Sequence, residues 1–303
     1  MQITAVALSA ALMFSGGGGD APREVPRQET QVPVLFFHHI DENVTGDTVI
    51  TPRKFDEISL FLENEGYVTI GFDDLVAYVD EGEPLPENPV ILTFDDGYRS
   101  NLTYAAPILR ARGQEATVFV IGVSMGKDMY KDTDIPIIPH FSWAEAKEWR
   151  DVIALGSHTY DMHQSPETDG PDFREGVLPK PDEIPGLHYS LFLSDIYRSI
   201  QDMKAAWGQP PLAFAYPYGK YSPETEAVLK ELGIRVSLTV SPGRNPVVRG
   251  DPESLYHLHR FEVFETTSLA EIKHYLLTSD YRSPFTPAPV EEAPQETQEE
   301  QVS

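Results

Sequence analysis

A chain of 303 residues with 41% hydrophobic and 11% aromatic side chains has enough apolar material for a core, which excludes wholesale disorder. Its 48 acidic and 23 basic residues give a net charge of −25, which argues against nucleic-acid binding, because phosphate contacts need clustered Lys and Arg. The chain has no cysteine, which excludes a thiol nucleophile, a zinc–thiolate site, a disulfide framework and a lipid anchor through cysteine.

Met1 to Phe14 is an apolar run closed by Ser15 and four glycines. It is too short to cross a bilayer as a helix but fits a signal-peptide core, although no Lys or Arg stands near Met1. Export to the cell envelope or beyond is therefore expected. Residues 15–31 are rich in Gly, Pro and charge and read as a linker, so 1–31 is taken as leader plus linker. The folded region is expected over 32–282, followed by a disordered, Pro- and Glu-rich acidic tail over 283–303.

Within those limits, strand and helix patterns alternate. Residues 34–37 form an apolar strand that ends in His38-His39. Thr51 caps a helix with Pro52 at its first position and a stripe of Phe55, Ile58, Phe61 and Leu62. The strand 90–94 runs into Asp95-Asp96-Gly97, and a helix over 101–112 is stopped by Gly113. Next come a strand over 116–121 and a helix through Arg150, begun by the capping box of Ser142 and Glu145. The strand 152–155 leads to Gly156-Ser157-His158-Thr159-Tyr160-Asp161-Met162-His163. Prolines and acids over 164–190 suggest a long surface insertion, before a helix over 194–207 and a strand over 212–215. Ser222-Pro223 opens a helix that ends at Gly233, strands follow over 235–240 and 258–263, and a last helix starts after Ser268. Repeated βα units define an α/β fold with a parallel sheet, doubly wound or closed as a barrel. In both, the carboxyl ends of the strands host the chemistry. His38, Asp95, Asp96, His158 and Tyr216 each stand just past an expected strand.

Adjacent carboxylates at a strand end cost free energy unless something cationic compensates them. Two imidazoles and a carboxylate suffice for a catalytic metal site with one open position, so the pattern points to a metal-dependent hydrolase. Plainer readings stand beside it. Asp95-Asp96 could cap the next helix, His158 alone would read as a structural histidine, and Tyr216-Pro217-Tyr218-Gly219 could be only a turn. His39, His140 and His188 are read as structural, Asp195 as a buried cap or brace outside the site, and Trp143, Trp149 and Trp207 as core.

Thr93-Phe94-Asp95-Asp96-Gly97 resembles the first motif of the polysaccharide deacetylases, the NodB-homology domain of carbohydrate esterase family 4. His158-Thr159 with His163 resembles the second motif and Tyr216-Pro217-Tyr218-Gly219 the third, so the likeness covers roughly residues 32–280. It implies a deformed (β/α) barrel with a parallel strand core, a divalent ion (zinc first; cobalt, nickel or iron(II) as alternatives) and hydrolysis of N-acetyl groups on aminosugar polymers. It also implies Asp95 as general base and Asp96, His158 and His163 as metal ligands. Tyr218 would give a backbone N–H to the oxyanion, with Tyr216 and Pro217 shaping that substrate-side turn. Four residues separate His158 from His163, where three are usual, and this resembles the poly-β-1,6-N-acetylglucosamine deacetylase branch. There a histidine near the N-terminus is the general acid, a role that falls to His38 in Phe37-His38; Asp161 is an alternative ligand. Ala215 stands where many members carry an arginine, so Arg260, in His257-Leu258-His259-Arg260-Phe261, is expected to orient Asp95 instead. The fifth motif's Leu-His-Asp is absent, which strengthens the case for His38 as acid, with His257 and His259 as runners-up. The implied substrate is an N-acetylglucosamine polymer, an exopolysaccharide ahead of peptidoglycan or chitin. A catalytically degenerate carbohydrate-binding protein and a hydrolase of a small acylated metabolite are the competing readings, since fold does not fix substrate. Oligomeric state and any gating by the insertion stay open.

Overall fold

The computed structural model describes residues 28–277. The expected signal segment and the acidic tail lie outside the described residues.

In chain order the strands and α-helices are β1 (Glu29–Phe37), β2 (His39–Ile40), β3 (Val49–Ile50), α1 (Pro52–Asn64), β4 (Val68–Thr69), α2 (Phe72–Asp80), β5 (Pro89–Phe94), α3 (Ala106–Arg112) and β6 (Ala116–Val120). They continue as α4 (Trp143–Lys147), β7 (Ile153–Ser157), α5 (Pro166–Asp169), α6 (Pro185–Ala206), β8 (Ala213–Ala215), α7 (Pro223–Glu231), β9 (Val236–Leu238), β10 (Arg244–Val248), β11 (Phe261–Glu262) and α8 (Leu269–Leu277).

The main sheet runs β10-β1-β5-β6-β7-β8-β9, parallel except for β10, which pairs antiparallel with the first half of β1. The second half of β1 takes β11 in parallel through Leu35↔Phe261, while Leu238 bridges Leu258 in parallel. The segment 258–262 therefore spans the gap between β9 and β1 and curls the sheet into a distorted barrel. This is the expected α/β barrel.

Strand alternation sorts the core. Leu35, Phe37, Leu92, Phe94, Val118 and Val120 pack outward with Phe55, Ile58 and Leu62 of α1 and Leu109 of α3. Val34, Ile91 and Phe119 face the other way and join Ala213, Ala215, Val236 and Leu238 across the barrel. With both faces buried, these strands read as continuous apolar runs. Beyond Phe94 the alternation turns Asp95 inward.

Several boundaries differ from the sequence reading. β1 begins at Glu29, inside the expected linker, because residues 29–33 gain β10 as a partner. Residues 101–105 of the expected helix wind as a π-turn, with Asn101 Nδ2 donating to His38 O (2.8 Å). α4 stops at Lys147, short of Arg150. α6 starts at Pro185, well before residue 194, because Pro185 at the first turn and the stripe His188, Phe192, Ile196, Ile200 and Met203 make one continuous helix. The insertion shrinks accordingly. β4, α2 and β10 were not anticipated. α2 depends on Asp74 accepting from Gly71 N–H (2.9 Å) and on buried Phe72, Leu75, Tyr78 and Val79.

Candidate active site

Four strand ends bring the expected residues to one mouth of the barrel: β1 ends before His38, β5 before Asp95, β7 before His158 and β8 before Tyr216. Asp96 (φ 71°), Thr159 (φ 74°) and Tyr218 (φ 56°) take left-handed backbone there, which for residues other than glycine is concentrated where side chains must be aimed. Gly97 (φ 86°) completes the turn after Asp96, and a methyl at Gly97 would stand 3.1 Å from Val120 Cγ1.

Asp95 is buried and held by a fully buried Arg260 in a two-pronged pair, Nη1–Oδ1 and Nη2–Oδ2 both 2.8 Å. Arg260 Nε donates to Thr239 O (2.8 Å), and the guanidinium carbon lies 4.3 Å from the Phe36 ring centroid. Burial alone would raise the Asp95 carboxyl; Arg260, followed by His158, outweighs it and holds the group well below the usual carboxylate range. Each oxygen keeps a second lone pair free to accept a proton. Arg260 thus sits where the sequence reading needed a substitute for Ala215.

Asp96, His158 and His163 form the group able to hold an ion, one donor atom from each lying within 4.8 Å of the others. Asp96 Oδ1 is 3.7 Å from His158 Nε2 and 3.5 Å from His163 Nε2. That oxygen is buried with no hydrogen-bond partner, a costly state unless a cation completes it. The Nδ1 of His158 lies 2.7 Å from Ala215 O, so it carries the proton and Nε2 presents its lone pair toward Asp96. Burial pushes His158 down to about 4, keeping the ring neutral. Burial would raise Asp96, but His163, His38 and His158 outweigh it and hold the carboxyl below its usual range. Two imidazoles and one carboxylate are a donor set that suits a divalent ion with an open coordination position. Asp161, the alternative ligand, is instead paired with Lys131 Nζ at 2.7 Å.

His38 faces the same mouth, close enough to Asp95 and Asp96 to influence both carboxyls. Its Nδ1 lies 3.8 Å from Glu262 Oε1. Burial raises the Glu262 carboxyl, with His38 opposing. The alternative acids have other partners: His257 Nε2 is 2.9 Å from Glu226 and its ring stacks on Tyr221, while His259 Nδ1 is 3.3 Å from Ser241 O.

The turn after β8 divides its expected roles. The Tyr218 ring sits 4.8 Å from that of His163, and its hydroxyl donates to Gln164 O (2.6 Å). Tyr216 is wholly buried and donates to Glu226 (2.8 Å), so its hydroxyl is engaged inside the turn. Pro217 is buried as part of the same turn, while a methyl on Gly219 (φ 67°) would collide with Val240.

Sequence reasoning missed Glu262 and Tyr98. Burial, then the charge of Asp96, pushes the Tyr98 phenol well above its ordinary range. Its place two residues past Asp96 is the only signal that marked it. His39 against Ser100 (2.9 Å) and His188 against Val177 O (2.7 Å) are structural, as read. Trp207 is buried, and Trp143 and Trp149 pack on the core.

A barrel whose mouth gathers an arginine-clamped carboxylate and a carboxylate–imidazole cluster able to hold a metal ion defines the class: an α/β hydrolytic enzyme. The sequence profile of polysaccharide deacetylases matches residues 82–237, and the chain belongs to that family. A Bacillus subtilis protein assigned to the polysaccharide deacetylases, YxkH, is 26% identical over 235 residues, which cover 77% of this chain and 71% of that one. The poly-β-1,6-N-acetyl-D-glucosamine N-deacetylase of Escherichia coli is 22% identical over 281 residues, covering 86% of this chain but only 41% of the longer relative. The solved de-N-acetylase of Aggregatibacter actinomycetemcomitans superimposes with a TM-score of 0.69 at 20% identity, over 81% of this chain and all (100%) of that one, a likeness of fold. Among the described residues no helix is long and apolar enough to cross a membrane.

Proposed function

We propose that this protein is a metal-dependent deacetylase that removes acetyl groups from N-acetylglucosamine units of a polysaccharide, with poly-β-1,6-N-acetylglucosamine as the favoured polymer. The observation that carries the reading is the juxtaposition of the Asp95–Arg260 pair with the Asp96–His158–His163 cluster. The resemblance of the four-residue histidine spacing and of Phe37-His38 to the poly-N-acetylglucosamine branch, and the similarity to the Escherichia coli enzyme, favour that substrate. The apolar start of the chain supports export.

Asp96, His158 and His163 would hold the ion. When bound, a divalent ion supplies Lewis acidity that polarises the amide carbonyl and makes water a better nucleophile. Asp95 takes the proton of the attacking water as the new C–O bond forms. Arg260 keeps Asp95 ionised before the transfer and aimed throughout it. The backbone N–H of Tyr218 donates to the oxygen that gains charge. His38 gives a proton to the leaving nitrogen as the C–N bond breaks, yielding acetate and a free amine, and Glu262 steadies the imidazole.

Acetate release from poly-β-1,6-N-acetylglucosamine is the deciding measurement, made on chain stripped with a chelator and reloaded with zinc, cobalt, nickel or iron(II). Release should vanish on stripping and return with at least one ion. The variant Asp95→Asn, which cannot take the proton, should lose about 10²–10⁴-fold in kcat, read on protein whose folding is checked by circular dichroism. If Asp95→Asn matches the parent chain, or no polymer releases acetate under any loading, the enzymatic reading fails and the carbohydrate-binding alternative takes its place.

A further inference from the structure

Asp195, on α6, stands outside the cluster but reaches the loop that carries His163. Its Oδ1 accepts from the backbone N–H of Tyr160 (2.8 Å) and its Oδ2 from that of Asp161 (2.7 Å). These are consecutive amides in the spacer between His158 and His163. The two histidines are fixed unequally. His158 is anchored by its bond to Ala215 O (2.7 Å) and by β7, whereas the His163 ring rests against the rings of His158 (4.9 Å) and Tyr218 (4.8 Å). The place of His163 therefore depends on the curvature of the spacer.

Packing fixes that curvature only in part, through Met162, which is buried with Phe192 and Ile196 of α6. An open cavity of ≈ 580 Å³ lies between the spacer, at Tyr160, Asp161 and Met162, and α6, at Asp195, Arg198 and Gln201. Hydrogen bonds also support the loop. Gly122 N–H donates to Thr159 O (3.0 Å) and Val123 N–H to Tyr160 O (2.8 Å), while Met162 N–H reaches Thr159 Oγ1 (3.1 Å). Tyr160 and Asp161 N–H are met by Asp195. Burial pushes the Asp195 carboxyl up to about 6 against the pull of those two backbone bonds. A buried carboxylate is unfavourable unless it satisfies donors that would otherwise be stranded.

We infer that Asp195 is a positioning residue of the metal centre: by gripping two consecutive amides of the wide spacer it sets the distance at which His163 meets His158 and Asp96. The inference rests on those three residues being the ligands. Outer-shell groups that orient ligands commonly change metal affinity by about 10–100-fold when removed.

The test is zinc affinity, measured on the full chain by competition with a chromophoric chelator, together with hydrogen exchange at the Tyr160 and Asp161 amides. Asp195→Ala and Asp195→Asn should bind zinc about 10–100-fold more weakly, with faster exchange at both amides in the alanine variant and at one of them in the asparagine variant, which keeps one acceptor oxygen. Lys204→Ala, at an exposed position of the same helix, should behave as the parent chain. The metal-free melting temperature of Asp195→Asn should stay within a few degrees of the parent. If the alanine variant does not fold, the asparagine variant decides. Zinc affinity within about threefold of the parent in that variant overturns the inference, as does weaker binding matched by a collapse of metal-free stability. If the parent itself binds zinc no better than Asp96→Ala, the ligand assignment falls and this inference with it. If binding depends on Asp96 but not on Asp195, the inference alone falls.

Discussion

Arg260 meets Asp95 with both prongs in a dry interior, and removing one partner of such a pair is costly because it strands the other charge. Arg260→Ala leaves a buried carboxylate uncompensated and should cost ~3–5 kcal/mol of stability, read by urea denaturation. Arg260→Lys keeps the charge but loses the planar fork, so it should fold better than the alanine variant while kcat still falls. Equal stability of the alanine variant and the parent would show that the pair does not matter to the fold. Tyr216 offers a second check on roles. Because its hydroxyl is spent on buried Glu226, Tyr216→Phe should lose about 1–3 kcal/mol of stability with little change in KM. A large rise in KM at unchanged stability would restore Tyr216 to the substrate side.

Elements differ in how much of their position is local. α1 carries its own instructions: Thr51 Oγ1 accepts from Lys54 N–H (3.1 Å), Pro52 fits the first turn, and buried Phe55, Ile58 and Leu62 line one face. The segment before α6 is held instead by side-chain pairing. Arg174 donates to Glu183 through both terminal nitrogens (2.7 and 2.8 Å), and these bonds push the Glu183 carboxyl down to about 2. A carboxyl lowered on folding stabilises above its unfolded value, near 4.5, and loses that contribution as pH falls toward the folded value. Residues 170–184 should therefore become protease-sensitive between about pH 4.5 and pH 2. In Glu183→Gln the segment should already be sensitive at pH 7 and gain nothing further over that window. Equal resistance of parent and variant at neutral pH would remove the pair as the cause. The start of α6 was misread because its first turns are Pro-, Gly- and Tyr-containing, and only the barrel wall they cover shows that His188 and Phe192 extend the stripe.

At the scale of the whole molecule, the ion and the barrel should stabilise each other, since the three ligands come from two separate strand ends and a preformed cluster binds only in the folded state. At zinc about 100-fold above its dissociation constant the gain should be ~2.7 kcal/mol, a rise in Tm of roughly 5–10 °C that chelator reverses and Asp96→Ala abolishes. A melting curve indifferent to zinc would contradict this. The residues near the mouth were readable because chemistry clusters after strands: apolar runs ending in His38, Asp95-Asp96 and His158 already placed them at one edge of a parallel sheet. The antiparallel pairing of β10, the burial of Tyr216, the approach of Glu262 to His38 and the grip of Asp195 on the spacer were not readable, since each depends on contacts between segments far apart in the chain. Sequence alone determined the alternating βα framework, the acidic and imidazole side chains available and the caps, because these follow from local periodicity and residue chemistry. Tertiary structure alone decided which oxygen faces which nitrogen and which charge Arg260 neutralises, because distances between distant segments are set by closure of the barrel and by the packing of its interior.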